Sequence, residues 1–158
     1  MSKKILCPTR GGQASYPNQD RAIRIAKERN AELIFLYVSN VHFMDHLAGP
    51  KLIDIETELD ELGEFILIMA VERANAAGVE AEGIVKHENF RQVLLEVIEQ
   101  GGIDTIVIGE SRLETTSMPL NYIQKLAKEL NETTSVEVII VDEGEIVNEV
   151  AGEEQSSE

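Results

Sequence analysis

The sequence lacks features that mark several other protein classes. Its 158 residues include a single cysteine, Cys7, and no tryptophan. One cysteine excludes an internal disulfide, and no segment approaches the ~18 consecutive apolar residues that a membrane helix requires. The opening MSKKILCP has only a short apolar stretch after its lysines, which predicts a first strand rather than a signal peptide. We therefore expect a cytoplasmic protein in which Cys7 is a buried, inert thiol rather than a redox centre.

Basic residues are also scarce. The chain has 14 Lys and Arg against 29 Asp and Glu, which gives a formal net charge of −15 at pH 7. Nucleic acids are bound through clustered lysine and arginine side chains, so we expect no nucleic-acid partner. The excess of carboxylates predicts a well-solvated surface, and a salt-loving source is the alternative explanation.

Familiar catalytic and metal-binding motifs are missing. The sequence has no Gly-x-Ser-x-Gly elbow, no loop ending in Gly-Lys-Ser/Thr and no GxGxxG after a strand. His42 and His46 flank Asp45 at a spacing that could share a metal on a helix. They fall in a predicted loop without a neighbouring cysteine or third histidine, so we expect no metal site.

Apolar strand patterns alternate with helical patterns along residues 1–142. The predicted strands are residues 4–8, 32–38, 80–87, 104–109 and 136–141, and the predicted helices are residues 15–29, 53–77, 89–101 and 119–130. Runs that are nearly all apolar, such as ELIFLYV, are typical of parallel strands covered on both faces. The alternation predicts one α/β domain, with an open parallel five-stranded sheet and right-handed crossovers.

The acidic remainder, residues 143–158, is predicted to be a frayed tail. Docking of Ile146, Val147 and Val150 on a neighbouring surface is the alternative.

Residues 103–122, IDTIVIGESRLETTSMPLNY, are where a ligand site is expected. An apolar run stops at Gly109, a polar loop follows, and Pro119 opens a helical pattern. In open α/β sheets, ligands bind outside the carboxyl ends of the strands, where the strand order reverses. The loop after Gly109 should therefore border any ligand site.

Phrases along residues 3–142 resemble the universal stress protein family. KILCPTRGGQAS is similar to that family's first strand and turn, and IEQGGIDTIVIGES is similar to its third helix and fourth strand. AIRIAKERNAELIFLYV and VEVIIV resemble the first helix with the second strand and the closing strand. The resemblance implies a Rossmann-like sheet ordered 3-2-1-4-5 with helices on both faces.

The resemblance also implies a homodimer that pairs through its last strand. An apolar outer strand without proline is an edge that proteins usually pair or cover, so the physical argument agrees. The expected interface residues are Val136, Val138, Ile139, Ile140 and Val141.

Nucleotide-binding members of that family carry a glycine, two spacers, a second glycine, nine spacers, and a glycine followed by Ser or Thr. Glycine lets backbone N–H groups approach a phosphate closely. Here Gly109 fills the first position, Arg112 stands at the second, and Leu120 and Asn121 lie near the last. Arg10 replaces the acidic residue that follows the first strand in the family. The ligand-binding positions carried over from the resemblance are Pro8, Thr9, Arg10, Val38, Ile108, Gly109, Ser111, Arg112 and Asn121.

These departures leave several functions open. The leading hypothesis is a non-catalytic, dimeric stress-response protein that binds ATP weakly or not at all. The alternatives are a protein that binds AMP or ATP through a modified loop at 109–121, and an enzyme that hydrolyses phosphoryl groups in the same crevice. Arg10 and Arg112 could instead hold another anion with the loop hydroxyls or pair with local acids. The hydroxyls of 111–117 are also candidate modification sites.

Overall fold

The computed structural model describes residues 3–9, 15–39, 50–87, 89–109 and 122–152, with side chains left undescribed at 50–57 and 59. The strands are β1 (Lys4–Pro8), β2 (Glu32–Ser39), β3 (Ala81–His87), β4 (Thr105–Gly109), β5 (Glu137–Asp142) and β6 (Glu145–Val150). The helices are α1 (Tyr16–Arg29), α2 (Pro50–Ala76), α3 (Phe90–Gly101) and α4 (Tyr122–Thr134). None of the helices in these ranges is long and apolar enough to cross a membrane.

The strands form one sheet in the order β3-β2-β1-β4-β5-β6. The first five strands lie in the predicted order 3-2-1-4-5, which is confirmed, and they run parallel to one another. The prediction of five strands is wrong, because β6 is added antiparallel to β5.

Each face of the sheet carries its own apolar core. One core packs α1 and α2 against alternate residues of β1 and β2, including Ile5, Leu33 and Phe35. The other packs α3 and α4 against the opposite side chains, including Leu6, Ile34 and Ile106. Helices on both faces explain why these strands have no polar face. Cys7 lies in the first core, where burial raises the pKa of its thiol to about 12, so the thiol stays protonated.

Helix ends follow the local sequence signals. Asn30 closes α1 in the left-handed conformation, with φ of 57° and ψ of 47°. Asn89 caps α3 by accepting a hydrogen bond from the Gln92 N–H at 3.1 Å. Ser15 stands at the N-cap of α1 but makes no side-chain capping bond. The predicted start of α4 at Pro119 lies outside the described residues.

Residues 145–150, which we expected in a frayed tail, are strand β6. The chain reverses through Glu143 and Gly144, whose φ angles are 52° and 85°. Positive φ at both central residues is the requirement of a two-residue type I′ hairpin turn, which suits the twist of the joined strands. The tail prediction is therefore wrong for this segment.

The expectation that β5 is the outer strand is also wrong. Ile139 of β5 pairs with Val107 of β4 on one side and with Glu149 of β6 on the other. Val136, Val138, Ile139, Ile140 and Val141 are all buried inside the protomer. These five residues therefore serve the core of one chain, and the edge they were expected to offer to a second copy is covered by β6.

A charged contact fixes the amino-terminal ends of β4 and β5 to α1. Arg29 donates hydrogen bonds from both terminal nitrogens to Glu137, at 2.8 and 3.1 Å, and Thr105 Oγ1 donates to the same carboxylate at 3.1 Å. The hydrogen bond from Arg29 is the main cause that lowers the pKa of Glu137. The pair therefore stabilises the fold while Glu137 is ionised.

We predict that Glu137→Gln lowers the free energy of unfolding at neutral pH by about 1–2 kcal/mol, since one charge-assisted pair is lost from a partly exposed site. The contribution in the wild type is complete above the ordinary glutamate pKa of 4.5 and is lost as the pH falls through the lower folded-state pKa. Urea unfolding from about pH 7 down to about pH 3 measures this difference. Glu129→Gln, at an exposed carboxylate that faces Arg91, is the control and should have a much smaller effect. A difference between wild type and Glu137→Gln that does not change with pH would contradict the assignment.

Candidate functional site

The carboxyl ends of β1 and β4 lie side by side. Ile5 pairs with Thr105 and Leu6 with Ile106 in parallel register. After β1 the chain passes to α1 on one face of the sheet, whereas α4, which follows β4 in the chain, packs on the other face. The strand order therefore reverses between these two strands, which is where open α/β sheets bind ligands. We call the crevice at this point the β1–β4 mouth.

Thr9, at the end of β1, is fixed by hydrogen bonds on two sides. Its N–H donates to the Leu36 carbonyl at 2.8 Å, and its Oγ1 accepts from Gln19 Nε2 at 2.7 Å. The Gln19 side chain is almost fully buried, and its Oε1 accepts from Arg73 Nη1 at 2.6 Å. The polar groups below the mouth therefore satisfy one another, as buried polar groups must.

The same arginine joins α2 to the start of α1. Arg73 forms an ion pair with Asp20, and its guanidinium lies 4.2 Å from the centre of the Tyr16 ring. A guanidinium over an aromatic face is attracted by the ring's negative surface. Together with its hydrogen bond to Gln19, Arg73 thus ties α2 to the first two turns of α1 by three different contacts.

Gly109, at the end of β4, is covered on its α1 side by Asn18. A Cβ added to Gly109 would lie 2.7 Å from Asn18 Nδ2. The Asn18 Oδ1 accepts a hydrogen bond from the Gly144 N–H at 2.8 Å, and Arg21 Nε donates to the Gly144 carbonyl at 2.7 Å. The turn between β5 and β6 is therefore fastened to the first turns of α1, and the linking amide occupies the space beside Gly109.

Five of the predicted ligand-binding residues lie where the sequence placed them. Pro8, Thr9, Val38, Ile108 and Gly109 are all at the carboxyl ends of β1, β2 and β4. Ile108 and Thr9 are buried, while Pro8, Val38 and Gly109 are partly exposed. The other predicted positions, Arg10, Ser111, Arg112 and Asn121, lie outside the described residues. The anion site proposed around the two arginines therefore stays a prediction.

Sequence reasoning missed Asn18, Gln19, Arg21 and Gly144. The first three were treated only as part of an amphipathic helix, and their roles depend on which strands lie beside that helix. A signal for Gly144 was present, because Glu143-Gly144 separates the apolar run VIIV from EIVNEV and is a turn signal between two strand patterns.

A second polar group lies at the ends of β2 and β3. Ser39 and His87 are register partners, and His87 Nε2 is 3.5 Å from Asp60 Oδ1. The Ser39 hydroxyl is buried and makes no hydrogen bond with any described residue. Serine, histidine and aspartate are the types of a hydrolytic triad, but that mechanism requires a hydrogen bond from the serine to the histidine. This geometry lacks it.

Metal-binding groups are also missing from the described ranges, in which no cluster of three or more His, Cys, Asp or Glu side chains could hold an ion. His42, Asp45 and His46 lie outside those ranges. The described part of the mouth thus offers strand-end backbone groups, the Thr9 hydroxyl and the side-chain amides of Asn18 and Gln19.

We predict that Gly109→Ala and Asn18→Ala are not additive. The added methyl should push the Asn18 amide away and break its bond to Gly144, with a loss of about 1 kcal/mol in the free energy of unfolding. Asn18→Ala removes the same bond, so the double variant should lose clearly less than the sum of the two single losses. Urea unfolding of the wild type, the two single variants and the double variant measures the coupling. Strict additivity would show that the contact between position 109 and Asn18 contributes nothing to the free energy of unfolding.

Comparison with known proteins supports the fold and its lineage. The model of the universal stress protein family matches residues 1–121. Universal stress protein YxiE of Bacillus subtilis (strain 168) is 31% identical over 117 residues, which span 69% of this chain and 79% of that protein.

Solved structures with low identity share the architecture. Universal stress protein UspA from Lactobacillus plantarum aligns with a TM-score of 0.68 at 17% identity, over 88% of this chain and 97% of that one. A universal stress protein family protein from Arabidopsis thaliana, with AMP bound, aligns with a TM-score of 0.58 at 16% identity, over 89% and 91%.

The family model covers well over half of the chain, and the Bacillus relative exceeds 30% identity over more than two thirds of it. The resemblance that we drew from the strand and loop phrases is confirmed. The chain belongs to the universal stress protein family.

Proposed function

We propose that this protein is a non-catalytic, dimeric binding protein of the cytoplasmic stress response, with weak or absent ATP binding. The observation that carries the proposal is the Asn18 amide beside Gly109. Gly109 is the one glycine of the family's phosphate motif that this chain keeps, and a side chain already fills one side of it.

The sequence of the following loop supports the same conclusion. Arg112 stands where the second glycine belongs, and Leu120 and Asn121 stand near the last. Side chains at these positions keep a phosphate from the backbone N–H groups that would hold it. Glu110 and Glu114 add negative charge to the same loop, in a chain whose net charge is already −15. A triphosphate would meet both steric and electrostatic opposition.

The absence of catalysis is proposed from the described polar groups. Thr9 Oγ1 accepts from an amide, and the buried Ser39 hydroxyl has no hydrogen bond to a base. Nucleophilic catalysis requires a base within hydrogen-bond reach of the nucleophile. A binding role requires only the shaped crevice.

The second candidate function is binding of AMP or ATP through a modified loop at 109–121. The AMP found in the Arabidopsis family member favours this alternative. A monophosphate carries less charge than ATP and needs fewer of the backbone N–H contacts that the missing glycines would allow. Pro8, Thr9 and Val38 retain the strand-end positions that the family resemblance assigns to ligand binding.

We predict that ATP with Mg²⁺ at about 1 mM leaves the melting temperature unchanged. A dissociation constant of ~10 μM would instead stabilise the protein by about 2.7 kcal/mol and raise the melting temperature by about 5–10 °C. AMP is tested in parallel, and a shift with AMP alone would favour the second candidate. Arg112→Gly is the matched variant, and a shift that appears only there would support the steric explanation. A clear ATP shift in the wild type would overturn weak binding, and phosphate release above a protein-free control would indicate an enzyme.

Because β6 covers β5, we propose β6 rather than β5 as the strand that contacts a second copy. Within the described residues β6 is the outer strand at its end of the sheet, and its Ile146 and Val147 are exposed. An outer strand offers unpaired N–H and C=O groups, and these apolar side chains can be buried by a second copy. We propose that two β6 strands pair in the homodimer.

We predict that Val147→Lys yields a monomer, because it places one positive charge from each copy beside the other at the proposed contact. Light scattering at matched protein concentration measures the mass, and circular dichroism checks that the fold is kept. Glu96→Lys, an exposed change on α3, introduces the same side chain elsewhere with a larger change in net charge and should leave the dimer intact. An intact Val147→Lys dimer would exclude pairing through β6.

A further inference from the structure

The end of the sheet opposite to β6 carries an open groove between β3 and α2. β3 is the terminal strand in the sheet order. The groove has a volume of about 520 Å³, and its apolar lining includes Leu67, Val71 and Val85. Gly83 also lines it, and a Cβ there would lie 2.8 Å from the Cβ of Leu67. The glycine thus lets the helix lie close along the strand.

The outer edge of β3 presents regularly spaced backbone groups. The Leu33 N–H donates to the Glu80 carbonyl at 2.9 Å, so Glu80 points toward β2. Backbone direction alternates along a strand, and the N–H and C=O of Ala81, Gly83 and Val85 therefore point away from β2. No strand lies beyond them in the described part of the chain. Such an edge is a template for another strand.

Apolar side chains are concentrated beside this groove on α2. Leu62, Phe65, Ile68 and Met69 are 49%, 60%, 56% and 36% exposed, and they make up four of the six large apolar side chains exposed in the described ranges. Their spacing of three or four residues puts Leu62, Phe65 and Met69 on one side of the helix, with Ile68 next to them. A contiguous exposed apolar surface of this kind marks an interaction site.

The rim of the groove is acidic. Glu64 and Glu72 contribute carboxylates from α2. Ala81 and Val85 pack on the α2 side of the sheet and Ile84 on the other, so the alternating side chains of Glu82 and Lys86, the single lysine or arginine of β3, point away from the groove. The local charge therefore favours a cationic occupant over an anionic one.

We propose that this groove binds an extended protein segment in which apolar and basic residues share the face turned toward α2, and that the segment adds to the sheet as a strand beside β3. The unpaired backbone of Gly83 and Val85 bonds the segment, its apolar side chains enter the groove against Leu67 and Ile68, and its basic side chains meet the rim carboxylates. Strand addition beside a helix combines main-chain affinity with side-chain specificity in this way.

The observations favour this occupant over three others. A helix would leave the edge N–H and C=O groups unpaired, and an acyl chain would leave both those groups and the carboxylates without partners. A second copy of the chain would place its own Glu64 and Glu72 near the same residues, and like charges in an interface are unfavourable. The basic extended segment satisfies the backbone, the apolar lining and the rim together.

The test uses a fluorescent nonapeptide, Lys-Thr-Val-Thr-Lys-Thr-Val-Thr-Lys, whose lysines and valines share one face of a strand, with binding measured by anisotropy on the full chain. We expect saturable binding that weakens as salt is added. The same peptide with its alternate backbone amides N-methylated keeps the charge and the side chains but cannot pair with an edge. It should bind about tenfold more weakly or worse, and so should a peptide with glutamate in place of lysine.

Two protein variants separate the groove from general attraction between opposite charges. Ile68→Glu should weaken peptide binding by about tenfold, although it adds a negative charge that would strengthen nonspecific attraction. Gln124→Glu adds the same negative charge at an exposed position of α4, on the opposite face of the sheet, and should leave the affinity per chain unchanged. Circular dichroism of both variants confirms that they remain folded.

Several results would overturn the proposal. Equal binding of the N-methylated peptide would exclude strand addition. Equal effects of Ile68→Glu and Gln124→Glu would show that the groove is not the site. The absence of saturable binding up to about 1 mM peptide would exclude the stated partner chemistry. A change of oligomeric state on Ile68→Glu in the absence of peptide would assign the groove to a second copy.

Discussion

The parallel register between β1 and β4 is the constraint on which the rest of this molecule depends. It brings together two strands that are almost 100 residues apart in the chain, Lys4–Pro8 and Thr105–Gly109. Because the chain leaves them toward helices on opposite faces, their carboxyl ends open into one crevice. Both apolar cores are built on the side chains of these strands, so the site cannot be separated from the core.

Contacts between elements remote in sequence shape the crevice at the ends of the central strands. Strand-end residues such as Thr9 and Gly109 keep the positions that the family resemblance assigns to them. Asn18 on α1 and the turn at Gly144 then close one side of Gly109 through a hydrogen bond between elements remote in sequence. The hydrogen bonds of Gly144 with Asn18 and Arg21 hold the Asn18 amide beside Gly109.

The two ends of the sheet differ in chemistry. At one end, β6 covers the apolar β5 and is itself mostly exposed, so the buried residues of β5 serve a single chain. At the other, β3 stays open beside an apolar and acidic surface of α2. Outer strands are normally protected or used. The two edges are therefore the separate surfaces that we propose for a second copy and for a protein partner.

The sequence by itself determined the α/β class through local periodicity and turn residues such as Gly109, and the order of the first five strands was implied by its resemblance to the family. The family was also identifiable from contiguous phrases. The sixth strand was missed because EIVNEV is acidic and mostly exposed, so it lacks the apolar signal of a buried strand. Only the tertiary structure decided the contacts of Asn18, Gln19 and Arg73, since each partner lies on another element. It also placed the exposed face of α2 beside an open strand edge, which no spacing along one helix encodes.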